Sequence, residues 1–183
     1  GGGMVLDWGI HLLDQALRIG EGRKLISVYA ELTNVTNEEC DDGFRVTLIF
    51  EGDLSMYVEV TTSNFIELPR WYILGENGSA VINDWDLNGE IVKVSDWENR
   101  DAVPILAGVG LTKTMAPRTD DTIKHYPLPK VDSSWTQFYE NVFAALRGEE
   151  EQLITHDQQR RLLKLVDAIF ESGNENKVVF FDK

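Results

Sequence analysis

The residues best suited to chemistry in this chain are an aspartate and a histidine that lie four positions apart. Asp7 precedes His11 by about one turn of a helix, so both side chains are predicted to lie on one face. An imidazole exchanges a proton near neutral pH, and a general acid–base group placed at a reacting atom contributes roughly 10²- to 10⁴-fold in rate. A carboxylate one turn away would orient the ring. The pair therefore predicts a site of proton transfer.

The segment around this pair is predicted to form one amphipathic helix between glycines. At 100° per residue, Asp14 and Arg18 fall with the pair in an arc of roughly 60°. Gly9 lies near the middle of the opposite side, where the absence of a side chain lets a helix approach a sheet closely. That apolar side is predicted to consist of Leu6, Ile10, Leu13, Ala16 and Leu17.

Each of these residues also has a purely structural explanation. His11 is equally compatible with a histidine at an ordinary helix surface, and Asp7 in a first turn complements the helix dipole. Asp14 is spaced for an i,i+4 ion pair with Arg18. A divalent metal bound by the acidic and imidazole groups is a competing possibility, but the chain has no HExxH motif and no second histidine nearby. We therefore predict no metal site.

The run Gly1 to Gly3 and the two remaining histidines are less informative. The glycines either form a flexible end or let a ligand approach the backbone at a helix N-terminus. His125 is placed to join a pocket, whereas His156 lies in a predicted capping box and is expected to be structural.

The composition restricts the class of protein and its partners. The chain has 183 residues, a net charge of −14 and one cysteine, Cys40. The acidic balance argues against nucleic acid and against an anionic membrane surface. A single cysteine excludes an intrachain disulfide and favours a reducing cytoplasm. We expect no signal peptide, and the sequence has no apolar run of about 18 residues. Because the sequence starts inside its most informative motif, we expect a fragment of a longer protein.

Alternating apolar residues predict a meander of about six strands after the first helix. Asn77-Gly78 and Asn88-Gly89 indicate hairpins, whereas 96–130 has no clear pattern. Two helices close the chain. Capping boxes are predicted at Ser134 to Gln137 and at Thr155 to Gln158. The strands are predicted at 25–35, 44–50, 54–60, 70–74, 79–84 and 90–95, with shorter ones at 122–128 and 178–181.

This order predicts one α+β domain over residues 1–183, in which helices pack on one face of a mainly antiparallel sheet. The other face carries Tyr57, Ile49, Ile73 and Tyr72 among polar residues. We expect that face to be free for pairing with a second copy of the chain or with another domain.

Several motifs resemble the Gfo/Idh/MocA oxidoreductases, the relatives of glucose-fructose oxidoreductase and inositol dehydrogenase. Gly1 to Gly3 followed by Asp7, Gly9, His11 and Asp14 is similar to the family signature GG-x(n)-D-x-G-x-H-x-x-D. The segment 71–78 is similar to the family's strand and G-x-x-G turn. The closing helices, around 138–141 and 168–172, continue the resemblance.

The resemblance implies the C-terminal domain of a two-domain enzyme for sugars or polyols, whose missing N-terminal Rossmann domain binds NAD(P). In this family a histidine matched by His11 is the acid/base, and Asp7 matches the aspartate beside it. Asp14 matches an acidic position near the substrate, and Gly2 and Gly3 match the segment near the nicotinamide. The catalytic lysine of an E-K-P motif would belong to the missing part. The fragment alone is expected to be inactive; the alternative is a non-catalytic oligomerisation or ligand-binding domain.

Overall fold

Alternating side chains and short turns give the described part of this chain two four-stranded antiparallel sheets and one two-stranded ribbon. The structure is a computed structural model that describes residues 2–36, 38–96, 98, 105–112 and 120–181. Its contacts divide the chain into two units: Gly1–Phe65 with Trp135–Lys183, and Ile66–Ser134. The candidate site predicted from the sequence lies in the first unit.

The first unit joins a four-stranded antiparallel sheet to helices. Strands β1 (Leu25–Thr33), β2 (Gly43–Phe50) and β3 (Leu54–Thr61) follow each other. The short C-terminal strand, numbered β10 (Val179–Phe180), pairs with β1, so the sheet order is β10-β1-β2-β3. A π-helical segment (Val5–Gly9) leads into α1 (Ile10–Ile19). The later helices are α2 (Thr136–Leu146) and α3 (His156–Glu175).

One face of this sheet and two helices form the hydrophobic core. Strand β1 packs against α3, and α1 packs against both α3 and β3. On β2 the alternation is clear: Phe44, Val46 and Leu48 are at most 1% exposed, whereas Arg45 and Ile49 face outward. Because the even positions of β2 are buried and the exposed positions alternate with them, a shift of one residue would expose the apolar face, which specifies the register of the β2–β3 hairpin.

The second unit is a four-stranded antiparallel sheet in the order β4-β5-β6-β9, with a separate two-stranded ribbon β7-β8. Its first hairpin turns at Glu76 and Asn77, as the Asn-Gly pair predicts. Ribbon β7-β8 lies in the stretch without a clear pattern. The strand bounds are β4 (Trp71–Gly75), β5 (Gly78–Ile82), β6 (Gly89–Val94), β7 (Ile105–Ala107), β8 (Gly110–Thr112) and β9 (Ile123–Pro127).

The α+β class and the antiparallel strands are confirmed, but the meander does not form one sheet of about six strands. It is divided into two four-stranded sheets. Consequently the residues predicted to share an outer face do not do so. Ile49 and Tyr57 lie on the outer face of the first unit's sheet, whereas Tyr72 and Ile73 are neighbours on β4 and point to opposite faces of the other sheet.

Helix α2 departs furthest from the prediction. The capping box predicted at Ser134 is wrong, because the helix begins at Thr136 after Trp135 and has no side-chain cap. Its aromatic residues are largely exposed, for example Tyr139 (60%) and Phe143 (59%), whereas Asn141 is buried. The Asn141 side chain instead donates to the carbonyl of Glu151 and accepts from the N–H of Leu153, which holds the α2–α3 connection.

The second capping box is confirmed in full. Thr155 accepts from the backbone N–H of Gln158, and the Gln158 side chain accepts from the N–H of Thr155. Helix α3 continues past Gly173, where it was predicted to stop, and ends at Asn176 in the left-handed conformation. Among the described residues, no helix is long and apolar enough to cross a membrane.

Candidate functional site

The N-terminus of the helix that carries Asp7 and His11 is held by a distant aspartate. The backbone N–H of Met4 donates to the carbonyl oxygen of Asp41 at 3.0 Å, and the N–H of Val5 donates to Asp41 Oδ2 at 2.8 Å. Asp41 is only 7% exposed. A carboxylate at this end of a helix satisfies unpaired N–H groups and complements the positive end of the helix dipole.

The same contact explains why residue 3 is glycine. Gly3 has φ +79°, a left-handed conformation that other residues rarely adopt. A Cβ atom at this position would overlap the Asp41 carboxylate. Gly3 is therefore required by the packing of Asp41, whether or not a ligand approaches it. Gly2 is exposed, and a Cβ there would meet the flexible side chain of Leu6 at 2.8 Å.

The π-helical segment changes which side chains of this helix are buried. Val5 and Gly9 are buried, followed by Leu13, Ala16 and Leu17 of α1. Leu6 was predicted on the apolar side but is 45% exposed. A π-helical turn holds more residues than an α-helical turn, so the residues before Gly9 are rotated away from the positions that 100° per residue predicts.

Asp7 and His11 are both exposed, and they lie on the part of the helix that is not covered by the first unit's core. No hydrogen bond or ion pair joins these two side chains, both of which the structure describes. The carboxylate therefore does not orient the imidazole here. Asp14 instead pairs with Arg18, with 2.9 Å between Oδ2 and Nε, as the i,i+4 spacing indicated. The structure thus leaves Asp7 and His11 accessible to a ligand.

Gly9 fixes the distance between this helix and the sheet. A Cβ at Gly9 would lie 2.9 Å from two ring carbons of Phe44 and 3.0 Å from the carbonyl oxygen of Met4. The close approach predicted from the sequence is confirmed. The Phe44 ring is only 1% exposed and lies against Gly9. The helix that carries His11 therefore packs directly against β2.

Asp41 and the adjacent Asp42 are the structural residues that the sequence analysis missed. Asp42 accepts from the backbone N–H and hydroxyl of Thr36, and from the hydroxyl of Thr33. The bond from the Thr36 N–H is the main cause that lowers the pKa of Asp42 from 3.8 to about 2. In the sequence, Asn37 to Gly43 indicates only a polar loop, and no local pattern predicts that Asp41 and Asp42 are buried.

The other two histidines lie elsewhere. His125 belongs to β9 of the second unit, where its Nδ1 lies 2.7 Å from Glu90 Oε2; this contact raises the pKa of the imidazole. His156 is the exposed first residue of α3, directly after the Thr155 cap. Among the described residues, no group of three or more His, Cys, Asp and Glu side chains is arranged to hold a metal ion.

Comparison with known proteins identifies the family. Residues 1–81 match the sequence model of the GFO/IDH/MocA C-terminal domain, and this range contains Asp7, His11 and Asp41. Residues 1–81 therefore belong to the Gfo/Idh/MocA family. Comparison with functionally curated proteins gave no match.

Similarity to solved structures extends beyond residue 81. An NAD-binding protein from Listeria innocua shares 42% identity with a TM-score of 0.87; the alignment covers 99% of this chain and 52% of that chain. The protein yvaA from Bacillus subtilis, described as an oxidoreductase, shares the fold at 18% identity and a TM-score of 0.74, over 98% of this chain and 52% of that one. The present chain thus spans about half the length of these relatives.

One similar structure was solved with ligands. It is the WlbA dehydrogenase from Bordetella pertussis in complex with NADH and UDP-GlcNAcA, at 20% identity and a TM-score of 0.62. The match covers all of this chain and 46% of WlbA. At this identity the likeness concerns the fold.

Proposed function

We propose that this chain is the C-terminal, substrate-contacting part of an NAD(P)-dependent oxidoreductase that acts on a sugar or polyol. The observation that carries the proposal is the placement of His11. It lies within the matched family domain, is exposed, and stands on a helix that Asp41 and Phe44 fix to the sheet. An accessible imidazole on a firmly held helix is what a general acid–base group requires.

In the proposed reaction, His11 accepts the proton of the substrate hydroxyl while a hydride leaves the carbon that bears it. The carbinol carbon becomes a carbonyl carbon. In the reverse reaction the hydride returns to that carbon and the proton returns to its oxygen. When bound, the nicotinamide supplies the acceptor or donor of that hydride. Asp7, one turn away on the same exposed end, would stabilise the imidazolium that forms once substrate is bound. Asp14 would contact substrate hydroxyls from the next turn, at the cost of its pair with Arg18.

The described part of this chain does not carry the fold that binds the diphosphate of a dinucleotide. All strand pairs of the described part are antiparallel, so it contains no parallel βαβ unit for a dinucleotide. We therefore propose that an N-terminal Rossmann domain of the longer protein binds NAD or NADP. Gly2 is exposed, whereas at Gly3 only the backbone is available because Asp41 fills the space beside it.

The substrate class is proposed from the family and from one relative. UDP-GlcNAcA, present in the WlbA complex, is a sugar nucleotide. Sugars and polyols, free or carried on a nucleotide, are therefore the compounds to test first.

The test uses the full-length protein that contains this chain and a panel of sugars, polyols and sugar nucleotides. Turnover is followed through the absorbance of the reduced nicotinamide. We expect His11→Ala to lower kcat by roughly 10²- to 10⁴-fold, the usual contribution of an acid–base group. His156→Ala is the matched control, because it removes an exposed helix histidine outside the candidate site. Equal activity of the His11→Ala variant and the wild type would refute the assignment.

The alternative is a non-catalytic domain for oligomerisation or ligand binding, and one exposed surface bears on it. The outer face of the first unit's sheet exposes Tyr57 (60%) and Ile49 (39%) beside the pair formed by Arg45 and Glu59. We propose that this face joins two copies of the chain, which is compatible with either function. A stable oligomer in light scattering, together with no nicotinamide-linked turnover by the wild type, would favour the alternative over the enzyme.

A further inference from the structure

A basic pocket lies in the first unit, between the α1–β1 connection, helix α3 and the C-terminal strand. Its volume is about 360 Å³. Asp7 and His11 are not part of its lining, so it does not belong to the site described above. The lining residues are Arg23, Lys24, Leu25, Arg160, Arg161, Lys164 and Phe181.

Most of the positive charge in this pocket is not neutralised by the described part of the chain. Arg23 donates to the carbonyl oxygens of Glu51 and Gly52, at 3.2 and 2.8 Å, and Arg161 donates to the carbonyl oxygen of Arg23 at 3.3 Å. These bonds position the guanidinium groups but cancel no charge. Arg160 pairs with Asp157 at the surface, where both side chains are more than 70% exposed. Such an exposed pair is weak and exchangeable.

This concentration of charge is unusual because the chain as a whole has a net charge of −14. Five of its 17 lysines and arginines line one pocket. Like charges that converge on one cavity repel each other, and an anion in the cavity relieves that repulsion. Guanidinium groups, with their planar fork of N–H donors, are especially suited to phosphate oxygens.

The pocket also has an apolar side. Leu25 is 5% exposed and Phe181 packs against the core, while Lys164 Nζ lies 5.6 Å from the centre of the Phe181 ring. A ligand with an anionic group and an apolar or aromatic group would contact both sides at once.

We propose that this pocket binds a small phosphate ester. Its phosphate lies among Arg160, Arg161 and Lys164, and its apolar group lies against Leu25 and Phe181. The proposal stands independently of the oxidoreductase proposal, since it uses neither His11 nor Asp7 and predicts binding without turnover.

The test is isothermal titration calorimetry on the full 183-residue chain at low ionic strength, with phenyl phosphate and with inorganic phosphate as probes. The variant is Arg160→Gln with Lys164→Gln, because both side chains are exposed and neither donates a hydrogen bond to the fold's backbone. The control is Lys124→Gln with Lys130→Gln, which removes the same charge from exposed positions of the second unit. Thermal unfolding of both variants checks that they fold.

We expect phenyl phosphate to bind more tightly than inorganic phosphate. The pocket variant should weaken phenyl phosphate binding about tenfold or more, the effect of losing one charge-assisted hydrogen bond. The control variant should bind within about twofold of the wild type, because neither lysine lines the pocket and both are exposed to solvent. Absence of binding by both probes, or equal weakening in both variants, would overturn the proposal. Equal affinity for both probes would overturn the role given to Leu25 and Phe181.

Discussion

Replacing Gly9 with alanine tests whether the helix that carries His11 is held as closely to the sheet as the structure indicates. Two effects of opposite sign compete. In a helix interior, alanine is more favourable than glycine by roughly 0.5–1 kcal/mol. Against this, the new Cβ would lie 2.9 Å from Cε1 and Cζ of Phe44, closer than carbon atoms normally approach.

The structure decides which effect is larger. The Phe44 ring is 1% exposed and surrounded by the core, so it cannot swing away, and the Met4 carbonyl 3.0 Å away belongs to the helix itself. Overpacking of this kind costs about 1–3 kcal/mol. We therefore expect Gly9→Ala to lower the free energy of unfolding by about 1–2 kcal/mol, or the Tm by roughly 2–8 °C for a chain of this length.

The assay is urea unfolding followed by far-ultraviolet circular dichroism, and the matched control is a double-mutant cycle with Phe44→Leu. In the Phe44→Leu background the smaller side chain leaves room, so Gly9→Ala should cost less by about 0.5 kcal/mol or more. If Gly9→Ala instead raised the unfolding free energy of the wild type, the helix would not be packed against Phe44 as described, and the argument for a fixed His11 would fail.

Two further predictions concern the aspartates beside this helix. Asp41→Ala should lower the free energy of unfolding by about 1.5–3 kcal/mol, because the Val5 N–H loses a charged acceptor. The control Glu38→Ala, at an exposed position, should change the free energy of unfolding little. Equal urea midpoints for the two variants would contradict this prediction. Asp42→Asn should be less stable than the wild type at neutral pH, because the native pKa of Asp42 is depressed to about 2. The difference in stability should shrink as the pH falls from 3.8 towards 2, where the Asp42 carboxylate of the wild type becomes protonated. A difference in urea midpoints that stays constant with pH would be incompatible with the bonds from Thr36 to Asp42.

The sequence by itself determined the α+β class and most of the longer elements. On β2 and β3 a side-chain period of two, with one face buried, specifies both the strands and their register. Thr155 and Gln158 indicated the start of α3, because a capping box is formed by residues only three apart, although the same spacing at Ser134 formed none. The expectation that Asp7 and His11 do chemistry came from the same kind of local spacing, and it stays a prediction.

The tertiary structure decided what local spacing cannot encode. Alternation shows which residues share a face but not which strand edges pair, so one predicted sheet became two. The π-helical segment rotated Leu6 to the surface, against an assumed 100° per residue. The cap that Asp41 forms on Val5 joins residues 36 positions apart, and the basic pocket joins Arg23 to residues more than 130 positions later. Such contacts depend on which distant segments of the chain the fold brings together. The burial of a side chain and the charges around it are set by these segments rather than by its neighbours in sequence.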